Sequence, residues 1–265
     1  MASRAPMAGD VTEALLRWYE AEGRDLPWRR TADPYAILVS EVMLQQTQVA
    51  RVVARWHAWL ERWPDAAALA GAAPAEVLRA WVGLGYNRRA LRLREACALV
   101  ARDGWPRTAE GLRALPGVGP YTAAAVASFA FGEQVAAVDV NVARVCGRLG
   151  RDVAELLPPG RAAAFNHAAM DLGATICTAR RPRCATCPLA AWCPSEGVVP
   201  EPAPRRAARE RFEDSDRFAR GRIVAALAAG EGLPADLGAR RTERALDGLV
   251  RDGLVVRDDA GVRLP

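Results

Sequence analysis

The sequence contains no lysine, and all 36 of its basic side chains are arginines. The chain therefore has no lysine amino group that could form a Schiff base with a substrate. Histidine is scarce, with two residues, and no apolar run approaches the roughly 18 residues of a membrane-spanning helix. The first ten residues lack a basic start followed by an apolar stretch. We expect no secretion signal, no membrane association and a cytoplasmic protein.

The composition is that of a globular protein with a basic surface. Hydrophobic residues make up 51% and charged residues 25% of the 265 positions, which is enough to form a core. The net charge of +5 is compatible with a polyanionic partner, and equally with a basic enzyme that binds none.

Helical spacing of apolar residues dominates the first 200 residues, and no segment there alternates for long enough to predict a strand. We therefore predict an all-α fold. Prolines at 194, 200, 202 and 204 indicate a linker, which we place at residues 201–212. Residues 213–265 show two short helical patterns and two short apolar segments around a turn. This order predicts a small winged-helix-like module.

One glutamate lies on the apolar face of a predicted helix. Asp33 followed by Pro34 is typical of a helix start, and we expect that helix to include residues 40–48. Glu41 follows Ile37 by four residues and shares its face. A carboxylate that loses hydration there has a raised pKa and suits a general acid. The alternatives are a surface glutamate and a buried structural pair.

Asp139 stands between an apolar stretch and a new helical pattern, a position typical of an N-cap. Helix N–H groups would favour its ionised form. An ionised aspartate beside a protonated glutamate is the division of labour of enzymes that cleave glycosidic bonds through oxocarbenium-like states. Glu41 and Asp139 are 98 residues apart, and the sequence does not show whether they meet.

Residues 115–120 join two helical patterns. Gly117 and Gly119 tolerate positive φ, and Pro120 suits the first turn of a helix. The free N–H groups at such a helix start can bind an anion such as phosphate. A tight helix connection with no ligand is the alternative.

Four of the six cysteines lie close together, separated by six, two and five residues. They are Cys177, Cys184, Cys187 and Cys193. In a cytoplasmic chain this grouping indicates metal ligation rather than disulfides. Zinc ribbons usually show two short pairs, whereas iron–sulfur clusters accept more varied spacing, so a cluster is favoured and zinc stays open. Cys97 and Cys146 stand alone in apolar helical stretches, where we expect core residues.

Several segments together resemble the adenine-specific mismatch DNA glycosylases, the MutY family of the endonuclease III superfamily. They are residues 26–29 (Leu-Pro-Trp-Arg), 40–47 (Ser-Glu-Val-Met-Leu-Gln-Gln-Thr), 83–86 (Gly-Leu-Gly-Tyr), 115–120, 138–141 and the four-cysteine segment. The resemblance covers about residues 10–200. Residues 210–265 are too short for the Nudix-like domain of longer members, so we expect a short form.

The resemblance implies a helix-hairpin-helix glycosylase fold. A six-helix barrel would occupy residues 25–133, and residues 1–24 and 134–200 would form a domain with a [4Fe–4S] cluster on the four cysteines. The implied activity is base excision repair, the removal of adenine paired with 8-oxoguanine or guanine. The partner would be double-stranded DNA containing mismatched or oxidised base pairs, and we expect a nucleoid-associated monomer.

The resemblance also assigns roles to single residues. Glu41 would protonate the adenine ring at N7, and Asp139 would stabilise the sugar cation, with a transient covalent adduct as one route. Tyr121 would line the pocket and hold Glu41, while Asn141 would orient the site.

The resemblance implies a set of residues that contact the DNA or the flipped base. They are Arg24, Leu26, Trp28, Gln46, Thr47, Leu84, Tyr86, Gly117, Val118, Gly119 and His167. Gln46 and Tyr86 would enter the duplex as wedges at the mismatch. A lone histidine on a helix is more often structural, which is the alternative for His167.

The lack of lysine bears on the reaction type. Members of the superfamily with lyase activity carry a nucleophilic lysine where Tyr121 stands, so a monofunctional glycosylase is expected. Two alternatives stay open: a glycosylase for another mismatched base, such as thymine in G·T, and a non-catalytic iron–sulfur protein that binds DNA.

Overall fold

The computed structural model describes residues 8–198 and 211–265. The helices in these ranges are α1 (Ala8–Glu22), α2 (Pro34–Leu44), α3 (Val49–Arg62), α4 (Ala66–Gly71), α5 (Pro74–Trp81), α6 (Arg88–Asp103), α7 (Ala109–Leu112), α8 (Pro120–Phe131), α9 (Val140–Leu149), α10 (Val153–Leu156), α11 (Ala162–Thr175), α12 (Asp216–Ala229) and α13 (Ala239–Arg251). Short 3₁₀ turns lie at Pro27–Arg29, Cys184–Thr186, Ala190–Trp192, Phe212–Asp214 and Ala235–Leu237. The predicted all-α class is confirmed for the described residues. None of their helices has the length and apolar character to cross a bilayer.

The described residues form two compact units, and each unit is discontinuous in the sequence. The first contains residues 8–41, 106–114 and 118–198, and the second contains residues 42–105, 115–117 and 211–265. The division into a barrel at 25–133 and a cluster domain at 1–24 and 134–200 stays a prediction. Most of the predicted linker, residues 201–212, lies outside the described residues.

The first unit is built around α11, which packs against α1, α8 and α9. Its core contains Leu15, Val142, Phe165 and Leu172, each almost fully buried. The hydroxyl of Thr12 donates to the carbonyl of Leu156 over 2.8 Å and joins α1 to the end of α10. Burial of these apolar side chains is the main term that holds the helices together.

In the second unit α6 packs against α4 and α5, around two buried tryptophans. The rings of Trp59 and Trp81 meet edge to face at 5.5 Å, a geometry that aromatic pairs prefer. The C-terminal module belongs to this unit: α12 packs against α13 and α5. Strands β1 (Val256–Asp258) and β2 (Gly261–Arg263) form an antiparallel hairpin. Two helices and a hairpin are the elements that the sequence predicts here.

Some predicted boundaries are wrong. The helix that starts after Asp33 ends at Leu44, so residues 45–48 are not helical. The cause is local, because Gln46 has φ 59°, a left-handed conformation that interrupts a right-handed helix. Both glycines of the turn before α8 tolerate positive φ, and Gly117 adopts it, at 77°, whereas Gly119 has φ −85°.

Candidate active site

Glu41 lies in the last half of α2, a helix whose residues 35–43 are all buried. Its side chain is 5% exposed. Burial raises the pKa of Glu41 to about 7, although a hydrogen bond from Tyr121 and the charge of Arg29 lower it. The negative charge of Asp139 adds to the increase. At neutral pH the carboxyl group is therefore protonated in about half of the molecules, as a general acid requires.

Asp139 is the N-cap of α9, as the sequence predicts. Its Oδ1 accepts hydrogen bonds from the backbone N–H groups of Asn141 at 2.9 Å and Val142 at 2.8 Å. Its Oδ2 accepts from the Asn141 side-chain amide at 2.6 Å. Three hydrogen-bond donors and the positive end of the α9 helix dipole therefore converge on the Asp139 carboxyl group. The sequence alone left open whether this carboxylate and Glu41 meet, and they are near enough to interact electrostatically.

Tyr121 stands in the first turn of α8 and donates its hydroxyl hydrogen to Glu41. The hydroxyl oxygen also lies 3.8 Å from the sulfur of Met170. Burial, followed by the charge of Glu41, raises the pKa of Tyr121 far above its usual value. The phenol therefore keeps its proton, and its hydrogen bond fixes the orientation of Glu41.

Two residues of this site were not singled out from the sequence: Arg29 and Asp171. Asp171 is fully buried on α11. It accepts hydrogen bonds from Arg29 at 2.7 and 2.8 Å, and from the Arg24 guanidinium at 2.6 and 2.8 Å. The backbone N–H of Arg24 adds another at 2.8 Å. The sequence signal for Asp171 was an acidic residue within an apolar helix. Such a residue indicates a partner of opposite charge, because buried charges are normally paired.

This cluster of two arginines and one carboxylate has a net positive charge. Burial alone would raise the pKa of Asp171, but its bonds with Arg29 and Arg24 hold it below the usual value. The excess charge acts on Glu41 through Arg29. This charge opposes the increase in pKa that burial causes at Glu41. It keeps the pKa of that carboxyl group near neutrality, where the group can both hold and release a proton.

Three further predicted pocket residues of the first unit are Leu26, Trp28 and His167, and His167 lies within electrostatic reach of Arg29 and Asp171. Leu26 and Trp28 are buried on either side of Pro27. His167 stacks on Phe129, with the ring centroids 4.0 Å apart. Burial, helped by the charge of Arg29, lowers the pKa of His167 to about 3. The imidazole is therefore uncharged at neutral pH, and as a neutral ring it adds no positive charge for DNA phosphate.

A chain of hydrogen bonds connects Asp139 with the cysteine segment. Asn141 donates to Asp139 and accepts from the Arg144 guanidinium at 2.7 Å. Arg144 also donates to the carbonyls of Gly173 at 2.6 Å and Cys177 at 2.7 Å. A Cβ atom on Gly173 would lie 2.6 Å from the Cβ of Asn141, so only glycine allows this approach. The position of Asp139 therefore depends on the segment that begins at Cys177.

The four predicted ligands surround one small cavity, together with Arg148. Their thiols are near enough to interact electrostatically, and none is in a disulfide. Yet no three cysteine, histidine or acidic side chains in the described ranges converge closely enough to hold a single metal ion. A cavity lined by four thiols has the cysteine ligand set that a [4Fe–4S] cluster requires. Cys97 and Cys146 are buried, as predicted.

The hairpin turn between α7 and α8 presents the start of a 12-residue helix. Val118 is buried, and Gly119 is the residue before the helix. A Cβ on Gly117 would lie 2.8 Å from the Cβ of Arg92, so this position requires glycine for space as well as for φ. The N–H groups at the start of α8 are the expected phosphate donors.

The second unit contains the predicted wedge residues. Gln46 and Tyr86, with φ 59° and 49°, are the non-glycine residues with positive φ among the described residues. Leu84 is buried, and its carbonyl lies 3.4 Å from the hydroxyl of Thr47. Strained backbone of this kind persists where the surroundings hold it, and it clusters at functional sites.

Two known protein families match segments of this chain. Residues 39–155 match the family described as HhH-GPD superfamily base excision DNA repair protein, and residues 177–193 match the iron-sulfur binding domain of endonuclease III. A solved structure of a thermostable thymine-DNA glycosylase is similar, with 31% identity and a TM-score of 0.67 over 71% of this chain and 95% of that one. A trapped endonuclease III–DNA covalent intermediate has 25% identity and a TM-score of 0.61, covering 72% of this chain and 97% of that chain.

The fold, the carboxyl pair and these matches define a helix-hairpin-helix DNA glycosylase that holds a [4Fe–4S] cluster. An adenine DNA glycosylase of Mycolicibacterium smegmatis is 46% identical over 269 residues, which cover 91% of each chain. The human adenine DNA glycosylase is 43% identical over 79% of this chain and 41% of its own length. The chain belongs to the adenine DNA glycosylase family.

Proposed function

We propose that this protein removes adenine paired with 8-oxoguanine or guanine from double-stranded DNA, as a monofunctional glycosylase. The observation that carries the proposal is the pair of carboxyl groups. Glu41 is buried with a pKa of about 7, and Asp139 lies within electrostatic reach under three hydrogen-bond donors. Opposite environments for two acids are the pattern of glycosidic bond cleavage.

In the proposed reaction the adenine leaves the base stack and enters the pocket of the first unit. Glu41 donates its proton to N7 of the ring, so the base departs as a neutral molecule. The bond between C1′ and N9 breaks, and its electron pair goes to the base. Asp139 stabilises the positive charge that develops on the sugar, and water then adds at C1′ to leave an abasic site.

Tyr121 and Arg29 prepare Glu41 for this step. The phenol keeps its own proton and points the carboxyl group, which is a positioning role. Arg29 limits the pKa increase that burial causes, so that Glu41 stays acidic enough to give its proton to the base. The resulting carboxylate can take up the proton that the attacking water releases.

The cysteine segment would contribute order rather than a reacting group. A [4Fe–4S] cluster on Cys177, Cys184, Cys187 and Cys193 supplies four iron–thiolate bonds that crosslink this segment. Arg144 then has a fixed carbonyl at Cys177, and through Asn141 it holds Asp139.

The absence of lysine supports the monofunctional reaction. Strand cleavage by the lyase route requires an amine that forms a Schiff base with the abasic sugar. The chain has no lysine, and the position that the resemblance gives to that lysine holds Tyr121.

A second candidate is the removal of thymine from a G·T pair. It is supported by the similarity to a thymine-DNA glycosylase structure, at 31% identity over most of that chain. The proposed acid distinguishes the two reactions, because a protonated carboxyl group beside the pocket suits N7 of a purine, and thymine has no such nitrogen.

The test is single-turnover base release from duplexes that contain A·8-oxoguanine, A·G, T·G or A·T, with hot alkali to reveal abasic sites. We expect release from the first two. Glu41→Gln should abolish release and retain mismatch binding, while Glu61→Gln, the same change at an exposed site on α3, should behave as wild type. Release from T·G alone, or a normal rate for Glu41→Gln, would refute the proposal.

A further inference from the structure

Side-chain hydrogen bonds to backbone carbonyls fix the loop that carries Tyr86. Arg89 donates to the carbonyls of Leu84 at 3.1 Å and Gly85 at 3.0 Å, and the Trp81 indole donates to Gly85 at 3.0 Å. Arg89 also donates to the carbonyl of Val42. These bonds maintain the left-handed backbone of Tyr86, which a tyrosine adopts only when its surroundings impose it.

The exposed side of Tyr86 contacts the C-terminal module. The Arg217 guanidinium donates to the Tyr86 hydroxyl and lies 5.1 Å from its ring centroid. The same guanidinium is 4.9 Å from the ring of Phe212. Arg89 approaches the Tyr86 ring at 5.7 Å. A residue 131 positions away in the sequence therefore holds a tyrosine that is 45% exposed.

Tyr86 and Arg217 line the same open cavity, of about 1040 Å³. The lining also contains Gln46, the other strained residue, and Phe212. Among the described residues that line it, one is acidic, Asp252, and six are arginines. The arginines are Arg51, Arg88, Arg89, Arg217, Arg220 and Arg222. This charge balance and the exposed aromatic rings suit a nucleic-acid strand.

We propose that Arg217 is a positioning residue that sets Tyr86 for insertion into the duplex, so that the C-terminal module takes part in mismatch recognition. This inference rests on the proposed function, because the wedge role of Tyr86 requires a DNA substrate. The physical benefit is preorganisation: an exposed side chain that already has its bound orientation loses less rotamer freedom when it enters the base stack.

The test compares Arg217→Ala with Arg222→Ala in the full-length protein. Both changes remove one positive charge from α12, but Arg222 pairs with Asp236 and lies near Phe218 rather than Tyr86. The duplex carries a non-cleavable adenine analogue opposite 8-oxoguanine and 2-aminopurine in the adjacent step, whose fluorescence rises when the stack opens.

We expect Arg217→Ala to weaken mismatch binding by roughly 3- to 10-fold more than Arg222→Ala does, since a surface cation–π contact is lost together with a hydrogen bond. The fluorescence rise should shrink in Arg217→Ala alone. Binding to the matched duplex should fall equally in both variants, because it follows the charge. Arg217→Lys should restore matched-duplex binding and only part of the fluorescence.

Tyr86→Phe tests the contact from the other partner and keeps the ring. If Arg217 acts through the hydroxyl, its replacement should have a smaller effect in a Tyr86→Phe background. Additive effects of the two changes, or equal fluorescence in the two arginine variants, would refute the inference about Arg217. Adenine release by the wild-type protein would still support the proposed function in that case. A wild-type protein that neither releases adenine nor opens the stack would refute both.

Discussion

The ionisation of Glu41 makes a quantitative prediction about stability. Below pH 4.5 the carboxyl group is protonated in both the folded and the unfolded chain, and its burial carries no ionisation cost. As pH rises through 4.5 the unfolded chain releases its proton first, whereas the folded chain keeps it until about pH 7. The folded state therefore loses stability across this window, and the loss is constant above it.

The size of the loss follows from the two pKa values. An increase from 4.5 to about 7 corresponds to roughly 3 kcal/mol, at about 1.4 kcal/mol for each pKa unit. Glu41→Gln cannot ionise and keeps the shape of the side chain. The difference in free energy of unfolding between Glu41→Gln and wild type should therefore shift in favour of the variant by about that amount between pH 4.5 and 8.

Urea unfolding of the cluster-loaded proteins at several pH values measures this difference directly. Glu61→Gln, the same change at an exposed carboxylate on α3, is the control. The rate of base release by the wild type should also fall about tenfold per pH unit above pH 7, as the acid form disappears. A difference between Glu41→Gln and wild type that stays constant with pH would refute the burial argument.

Two further predictions concern the elements that support the site. Asp171→Asn leaves two guanidinium groups without their buried counter-charge and should cost roughly 3 to 5 kcal/mol in urea unfolding. Asp25→Asn breaks an exposed pair and should cost nothing measurable, so similar losses in the two variants would contradict the argument. Cys184→Ala should lose bound iron and sulfide together with base release, whereas Cys97→Ala should retain both; an iron-loaded, yellow-brown Cys184→Ala protein would remove Cys184 from the ligands.

The sequence predicts the helices of this protein well where the periodic pattern is long. Helices α8 and α9 begin where the sequence predicts a helix start, because Pro120 and Asp139 mark the first turn and the N-cap. Helices α4, α7 and α10 were not predicted, since four to six residues are too few to show a period.

The site was predictable where one residue carries its own signal. Glu41 on an apolar face and Asp139 at a helix start have a local signature, and so do the four cysteines. Asp171 has only a weak signal, an acid within an apolar helix, and Arg29 has none, because the two residues are 142 positions apart and only the fold brings them together. The contact between Arg217 and Tyr86 could not be predicted for the same reason. The left-handed backbone of Gln46 follows the end of a helix that was expected to include residues 45–48.

Both compact units are interrupted in the sequence, and this affects how the molecule is made. During synthesis Glu41 leaves the ribosome 98 residues ahead of Asp139, and the rest of its unit follows only after most of the second unit's first segment has been translated. Early portions of the chain thus expose apolar helices such as α2 before their native neighbours exist. An amino-terminal fragment that ends before Asp139 would contain Glu41 without its partner carboxyl group. A nascent or truncated chain of this kind could not release bases from DNA before the complete glycosylase has folded.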